Sequence, residues 1–264
     1  MLIDFHTHCF PDKIAGNAMQ KLSFACGGVE PATDGTLSGL MRLMKENNVQ
    51  KFAVMNIATN PKQQTNVNNF AISINSPDII AFGSVHPDSP DALSELERIK
   101  DAGLRGVKFH PEYQGFYVDD PKMTEICKKI SDLNLITLFH AGFDPGFGPE
   151  SRCLPERFIK IADKFSSPVI LAHWGGLEAW TEVLGKLTDS QFYFDTSMGL
   201  GILPRPAAIK IIEKHGADKI IFGSDTPWHT PKHELTFLST LGLSDDELSK
   251  IYFKNALKLL GTEE

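Results

Sequence analysis

Paired cysteines, an excess of basic residues and long apolar runs are all missing from this sequence, and each shortage excludes something. The four cysteines, Cys9, Cys26, Cys127 and Cys153, lie far apart and form no Cys-x-x-Cys pair. A disulfide framework is therefore excluded, and ordinary thiols of a reducing compartment are expected. Lysine and arginine total 26 against 33 aspartate and glutamate, a formal net charge of -7. Nucleic-acid binding needs a basic face that displaces phosphate counterions, and the basic residues never gather into a run, so no nucleic-acid partner is expected. No stretch of ~18 apolar residues could span a bilayer, so no membrane partner is expected. The opening residues show no basic segment followed by an apolar one, so no secretory leader is expected and the expected location is cytoplasmic.

What remains is ordinary globular composition: 264 residues, 42% of them hydrophobic and 22% charged. A chain of this length buries a core without metal staples, so any metal is expected to be catalytic rather than structural. Short apolar runs read as buried strands at Leu2–Phe5, Lys51–Ile57, Ile79–Val85, Gly106–His110, Leu135–His140, Val169–His173, Gln191–Asp195 and Ile220–Gly223. Helical spacing separates them, at Leu37–Asn47, Pro90–Ala102, Pro121–Leu133, Pro155–Phe165, Leu177–Leu187 and Pro206–His215. Several of these open on proline, which suits a first helical turn. A last helix, Ser244–Leu260, opens on a Ser-Asp-Asp-Glu capping signature.

Eight strands alternating with helices predict an α/β fold, a single TIM-type (β/α)8 barrel over residues 1–264. An open doubly wound sheet would carry a glycine-rich turn after its first strand, where this chain has His-Thr-His. No linker or low-complexity run divides the chain. Residues 12–35 form the one long irregular stretch, expected as an insertion folded over the active-site mouth.

Catalytic groups of such barrels project from the C-terminal ends of the strands. Six of the nine histidines, His6, His8, His86, His110, His140 and His173, fall at or just past an expected strand end. His6 and His8 are two apart in extended chain and so face one side, into the barrel. Two imidazoles there can hold one divalent ion with bonds of ~2.0–2.1 Å. A solitary buried histidine is more often a hydrogen-bonded core residue, but this pair is joined by histidines from other strand ends. Asp225 follows the last strand and is expected to ligate the metal and take a proton, although aspartate there also serves as a turn or cap residue. Asp195, ending strand seven, either orients pocket groups or caps a turn.

Lys108 and His110 share one face of strand four, with Glu112, Tyr113, Gln114 and Phe116 behind them as a candidate substrate wall. Trp174 and Trp228 either shape an apolar pocket or serve packing, and His86 is expected to line the mouth without binding metal.

Asp4-Phe5-His6-Thr7-His8, a histidine after strand five, His173-Trp174-Gly175-Gly176, Gly223-Ser224-Asp225-Thr226-Pro227-Trp228 and the closing Asn255–Leu260 together resemble the amidohydrolase superfamily. The similarity is to the amidohydrolase-2 branch, which contains aminocarboxymuconate semialdehyde decarboxylase and related metal-dependent hydrolases. It covers nearly the whole chain, in order. The resemblance implies His6, His8, His140 and Asp225 as metal ligands and His173 as an acid/base or electrostatic residue beside them. It implies one divalent ion, usually zinc (Zn2+), with an open position for water. Some amidohydrolases bridge two ions with a carboxylated lysine from strand four, a part Lys108 could play. Otherwise Lys108 grips a substrate carboxylate or forms a structural ion pair, and His110 is a pocket residue. A homodimer acting on a small-molecule substrate is the remaining expectation. The sequence departs from the decarboxylases at His173–Gly176 and in the short Asp12–Gly35 segment.

Two activities follow from that resemblance. The first is hydrolysis of a small amide, ester or lactone by metal-activated water, with Asp225 and His173 catalytic. The alternative is non-oxidative decarboxylation of a small unsaturated or aromatic carboxylic acid. A basic group gripping a carboxylate, with Arg152 and Arg205 as candidates, favours the second. A barrel serving only as a binding scaffold is disfavoured, because all four ligand positions hold competent residues.

Overall fold

The computed structural model describes residues 1–262. Eight strands run in chain order: β1 (Ile3–Thr7), β2 (Lys51–Met55), β3 (Ile79–Gly83), β4 (Gly106–Phe109), β5 (Ile136–Phe139), β6 (Val169–Leu171), β7 (Tyr193–Asp195) and β8 (Ile220–Ile221). Each pairs in parallel with the next. Backbone bonds then bring the last strand round to the first. Phe5 N–H donates to the Phe222 carbonyl at 2.8 Å, Asp225 N–H to that of His6 at 2.7 Å, and His8 N–H to that of Thr226 at 2.7 Å. The result is a nearly closed (β/α)8 barrel, and the bonds that join its ends also fix Phe5, His6 and His8 of the first motif and Asp225 and Thr226 of the second.

The strands read as apolar runs because both of their faces are covered. Phe5, Met55, Phe82, Leu138 and Ile170 fill the interior, and Ala256 and Leu260 of the closing helix pack with them. Val54, Val107, Phe139 and Phe194 face outward against helical residues such as Leu40, Leu96, Ile126 and Ile211. The β1–β2 register shifts between Asp4 and Thr7. Such irregularities re-aim side chains beside active sites. Here Phe5 stays in the inner layer while His6 and His8 line the cavity at the mouth.

Residues 12–35 depart from the sequence reading. They contain helix α1 (Asp12–Ala25), of 14 residues, rather than irregular chain. Only Ala15 and Met19 of it are buried, while Ile14 and Phe24 stay exposed, so its apolar residues form no clean stripe. Gly16 within the helix weakens the signal further, by about 1 kcal/mol relative to alanine. Helix α2 (Leu37–Glu46) follows, and the Thr36 hydroxyl accepts from Gly39 N–H at its start.

Two expected helices are shorter than read. Pro155–Phe165 is α-helical only to Ile159, with a separate 3-10 turn at Ala162–Lys164, and Leu177–Leu187 is helical only from Trp180. The Ser244 capping box is present, but the last helix widens to i→i+5 bonding at Lys250–Lys254. There the Ile251 carbonyl accepts from Phe222 N–H at 2.8 Å, tying the closing segment to β8. No helix of the described residues is long and apolar enough to cross a membrane.

Candidate metal centre and its cavity

At the C-terminal mouth of the barrel, His6, His8 and Asp225 converge. His8 Nε2 lies 3.2 Å from His6 Nε2, and Asp225 Oδ1 lies 3.3 Å from His6 Nε2 and 3.1 Å from His8 Nε2. The outer nitrogens are already committed. His6 Nδ1–H donates to Asp195 Oδ2 at 2.8 Å, and His8 Nδ1–H to the Met55 carbonyl at 3.0 Å. Both Nε2 atoms therefore present lone pairs to each other and to a carboxylate oxygen. Three electron-rich atoms so close repel one another unless a cation lies between them, and carboxylate- or carbonyl-backed histidine is the usual support of a metal ligand. The donor set fits a divalent ion.

His140 does not join this trio; its ligand atom groups instead with His110 and Asp144. It heads a hydrogen-bonded chain. His140 Nε2 lies 3.2 Å from the Phe143 carbonyl, and Nδ1 lies 3.0 Å from His173 Nε2. His173 Nδ1 meets Ser197 Oγ at 2.7 Å, and Ser197 Oγ meets Asp195 Oδ1 at 2.5 Å. Both ends of this chain, a carbonyl and a carboxylate, only accept. Four links need four protons, whereas two neutral imidazoles and one hydroxyl supply three. Burial pushes His173 down to about 4, against the raising effect of Asp225 and Asp195, and lowers His140 well below its usual value. An extra proton on either ring is therefore disfavoured. The count closes if His140 Nε2 leaves the Phe143 carbonyl and serves as a bare nitrogen.

Lys108 is buried, with Nζ 3.4 Å from His6 Nε2. Burial pushes it down to about 8, although Asp225 and Asp195 oppose the shift. These groups floor a cavity of about 290 Å³ whose walls include Met19 and Leu22 of α1, together with Ile57, Leu177, Ile202 and Trp228. Lys108 is the only lysine or arginine among the lining residues. His110 also lines it, stacked on His140 at 4.1 Å between ring centres and 3.2 Å from Asp144 through Nε2.

Several sequence expectations need correction. Trp174 does not line the cavity. His173 and Trp174 both take φ 59, a left-handed turn that sends the indole into the outer core. There its Nε1–H donates to the Thr196 carbonyl at 2.8 Å and its ring packs edge-on against Phe237. His86 lies outside the lining as well. Of the wall after β4 only Tyr113 reaches the cavity. Glu112 pairs with Arg152 at 2.7 Å, which removes that arginine from the cavity, and Arg205 is exposed at a helix start.

Sequence reasoning missed Ser197, Asp144 and the pair His229–Glu234. A serine two residues past a strand end carries no distinctive signal. Glu234 sits five residues from His229 on the next helix, Pro231–Ser239, and only tertiary structure brings the two together.

A barrel with imidazoles and a carboxylate gathered at the ends of β1 and β8 belongs to the class of enzymes that work through a metal at the strand ends. The sequence profile described as amidohydrolase matches residues 3–262, and the chain belongs to this family of metal-dependent enzymes. No curated protein matches the sequence. Solved structures share the fold. A 5-carboxyvanillate decarboxylase from Sphingomonas paucimobilis is 16% identical with a TM-score of 0.73, over 98% of each chain. A dihydroxybenzoic acid decarboxylase from a Polaromonas species, with bound manganese and 2-nitroresorcinol, is 18% identical with a TM-score of 0.74, over 98% of this chain and 96% of that one. A probable 2-pyrone-4,6-dicarboxylic acid hydrolase from Acinetobacter baumannii, with citric acid bound, is 18% identical with a TM-score of 0.68, over 98% of this chain and 99% of that one.

Proposed function

We propose that this chain is a metal-dependent decarboxylase of a small aromatic or unsaturated carboxylic acid. The observation that carries the reading is Lys108, the only ammonium of a mostly apolar cavity, set beside the imidazole–carboxylate cluster. An ammonium in such walls selects an anion on a compact apolar body. Arg152 and Arg205, the other candidates for gripping a carboxylate, lie outside the cavity lining. Two neighbours of the same fold, the 5-carboxyvanillate and dihydroxybenzoic acid decarboxylases, are named for this kind of reaction.

His6, His8 and Asp225 would hold the ion, with His140 as the fourth ligand once its Nε2 leaves the Phe143 carbonyl. A bound divalent ion supplies Lewis acidity toward a substrate oxygen. Zinc is the ion expected from the sequence, and manganese is the one bound in the Polaromonas enzyme. Lys108 orients the carboxylate. Met19, Leu22 and Trp228 keep water from the ring, which favours dispersal of the carboxylate charge into the organic fragment as neutral CO2 departs. His173, held by Ser197 and Asp195, would hold the substrate while a proton replaces CO2 at carbon.

Hydrolysis is the second reading. Asp225 stands beside both Nε2 atoms, where a carboxylate could take a proton from water, and one neighbour is named as a pyrone dicarboxylic acid hydrolase. An assay of the metal-loaded chain against small aromatic acids, unsaturated acids and lactones, with CO2 release followed separately from ring opening, distinguishes the two. CO2 release that disappears in His6→Ala and Asp225→Asn is expected. Lactone opening without CO2 would overturn decarboxylation in favour of hydrolysis.

A further inference from the structure

A second titratable couple stands in the cavity wall, apart from the imidazole cluster. His229 lies four residues past Asp225, and its ring lines the cavity. Its Nδ1 is 2.6 Å from Oε1 of Glu234, a side chain with no solvent exposure. The other carboxylate oxygen of Glu234 accepts Gly199 N–H at 3.0 Å. Burial pushes this carboxyl up to about 7, although the His229 hydrogen bond pulls the other way. The other titratable ring packed against His229 is that of His233, with centres 5.0 Å apart.

Packing does not account for this arrangement. A carboxylate withdrawn wholly from water is expensive, and an apolar side chain would fill the same space without that penalty. Behind an imidazole, however, a buried carboxylate fixes the ring orientation and stabilises its protonated form. Among the described residues the hydrogen-bond partner of the His229 ring is Glu234, through Nδ1, which leaves Nε2 uncommitted. A proton shared along this couple lets Nε2–H donate to an anion in the cavity.

We propose that His229, oriented by Glu234, recognises a second acidic group on the substrate, so that the cavity takes a small dicarboxylic acid. One carboxylate lies at Lys108 and the metal cluster, and the other meets His229. The proposal rests on the reading of the cavity as a carboxylic-acid site. Lys108 is the only lysine or arginine in the lining, so a second anion has no other permanent cation to meet there.

Calorimetric titration of the metal-loaded full chain with benzoate and with isophthalate, the same ring bearing one or two carboxylates, tests this. Isophthalate is expected to bind about tenfold more tightly, the scale of one charge-assisted hydrogen bond. His229→Phe should abolish that preference and leave benzoate affinity in place. If the phenylalanine variant does not fold, His229→Gln, uncharged but polar, should lose most of the preference. A preference that survives in the folded variant overturns the role of His229. So does a wild-type chain that binds benzoate with no preference for the diacid, and the carboxylic-acid reading then stands alone. Binding of neither acid overturns both.

Discussion

Asp195 Oδ2 accepts from Nδ1 of His6 at 2.8 Å, and the other oxygen of the same carboxylate takes Ser197 Oγ at 2.5 Å. One buried aspartate thus sets the ring on which the metal trio depends and anchors the chain that runs through His173. Burial opposes its charge, but the hydrogen bonds from the His6 ring and from Ser197 keep it ionised, below the usual carboxylate range. Asp195→Asn should lower metal affinity by about 10- to 100-fold. Competition with a chromophoric chelator measures this, and unchanged affinity would remove Asp195 from the metal's support.

Elemental analysis of the reconstituted chain should return about one divalent ion, held by His6, His8 and Asp225 with His140 as the proposed fourth ligand. Lys108→Met should keep that ion and raise KM for a carboxylic acid about tenfold or more, the worth of one lost charged contact. Two ions per chain, with a carbon dioxide adduct on Lys108 by mass spectrometry and loss of one ion in Lys108→Met, would instead assign the lysine to a bridge.

Glu234 is held above its ordinary 4.5, at about 7. A carboxyl raised by folding binds its proton more tightly in the native state. Its contribution is therefore full below pH 4.5 and is lost as pH rises through about 7. Denaturant unfolding at stepped pH should show wild type losing stability relative to Glu234→Gln across that window, by at most about 1.4 kcal/mol per pH unit. A pH-independent difference between the two proteins would contradict it.

Gly142 carries the contact between the loops after β5 and β6. Its φ is 87, and an added Cβ would lie 2.2 Å from Leu177 N and 2.3 Å from Leu177 O. Both Leu177 atoms already bond across, to the Ala141 carbonyl at 2.8 Å and from Phe143 N–H at 2.9 Å. Gly142→Ala should therefore destabilise by about 2 kcal/mol or more, from left-handed strain plus a clash with backbone that has nowhere to move. The midpoint of chemical unfolding reports it.

The sequence made the barrel legible because parallel strands buried on both faces leave apolar runs that no surface segment imitates. All eight strands fall where those runs stand, with ends displaced by a few residues. Helix α1 was hidden for the opposite reason. It lines the cavity through Met19 and Leu22, buries one thin line, Ala15 and Met19, and carries a glycine within it, so its periodicity is faint. Whether the Trp174 indole shapes the pocket or packs is not legible in the sequence, because its direction depends on two successive left-handed residues, which no side-chain pattern announces.

Residue chemistry at the strand ends named His6, His8, His110, His140, His173, Lys108, Trp228 and Asp225, and the fold gathers all eight around one cavity. Alternation along a strand and position at its end are local properties, so sequence alone determines them. Which nitrogen faces which oxygen is not local. The commitment of His6 to Asp195, 189 positions away, and the convergence of two bare Nε2 atoms on Asp225 depend on how β1, β7 and β8 come round to one another. Glu234 behind His229 and Ser197 beneath His173 belong to the same category. Hydrogen bonds act over about 3 Å, and only closing the barrel sets distances on that scale.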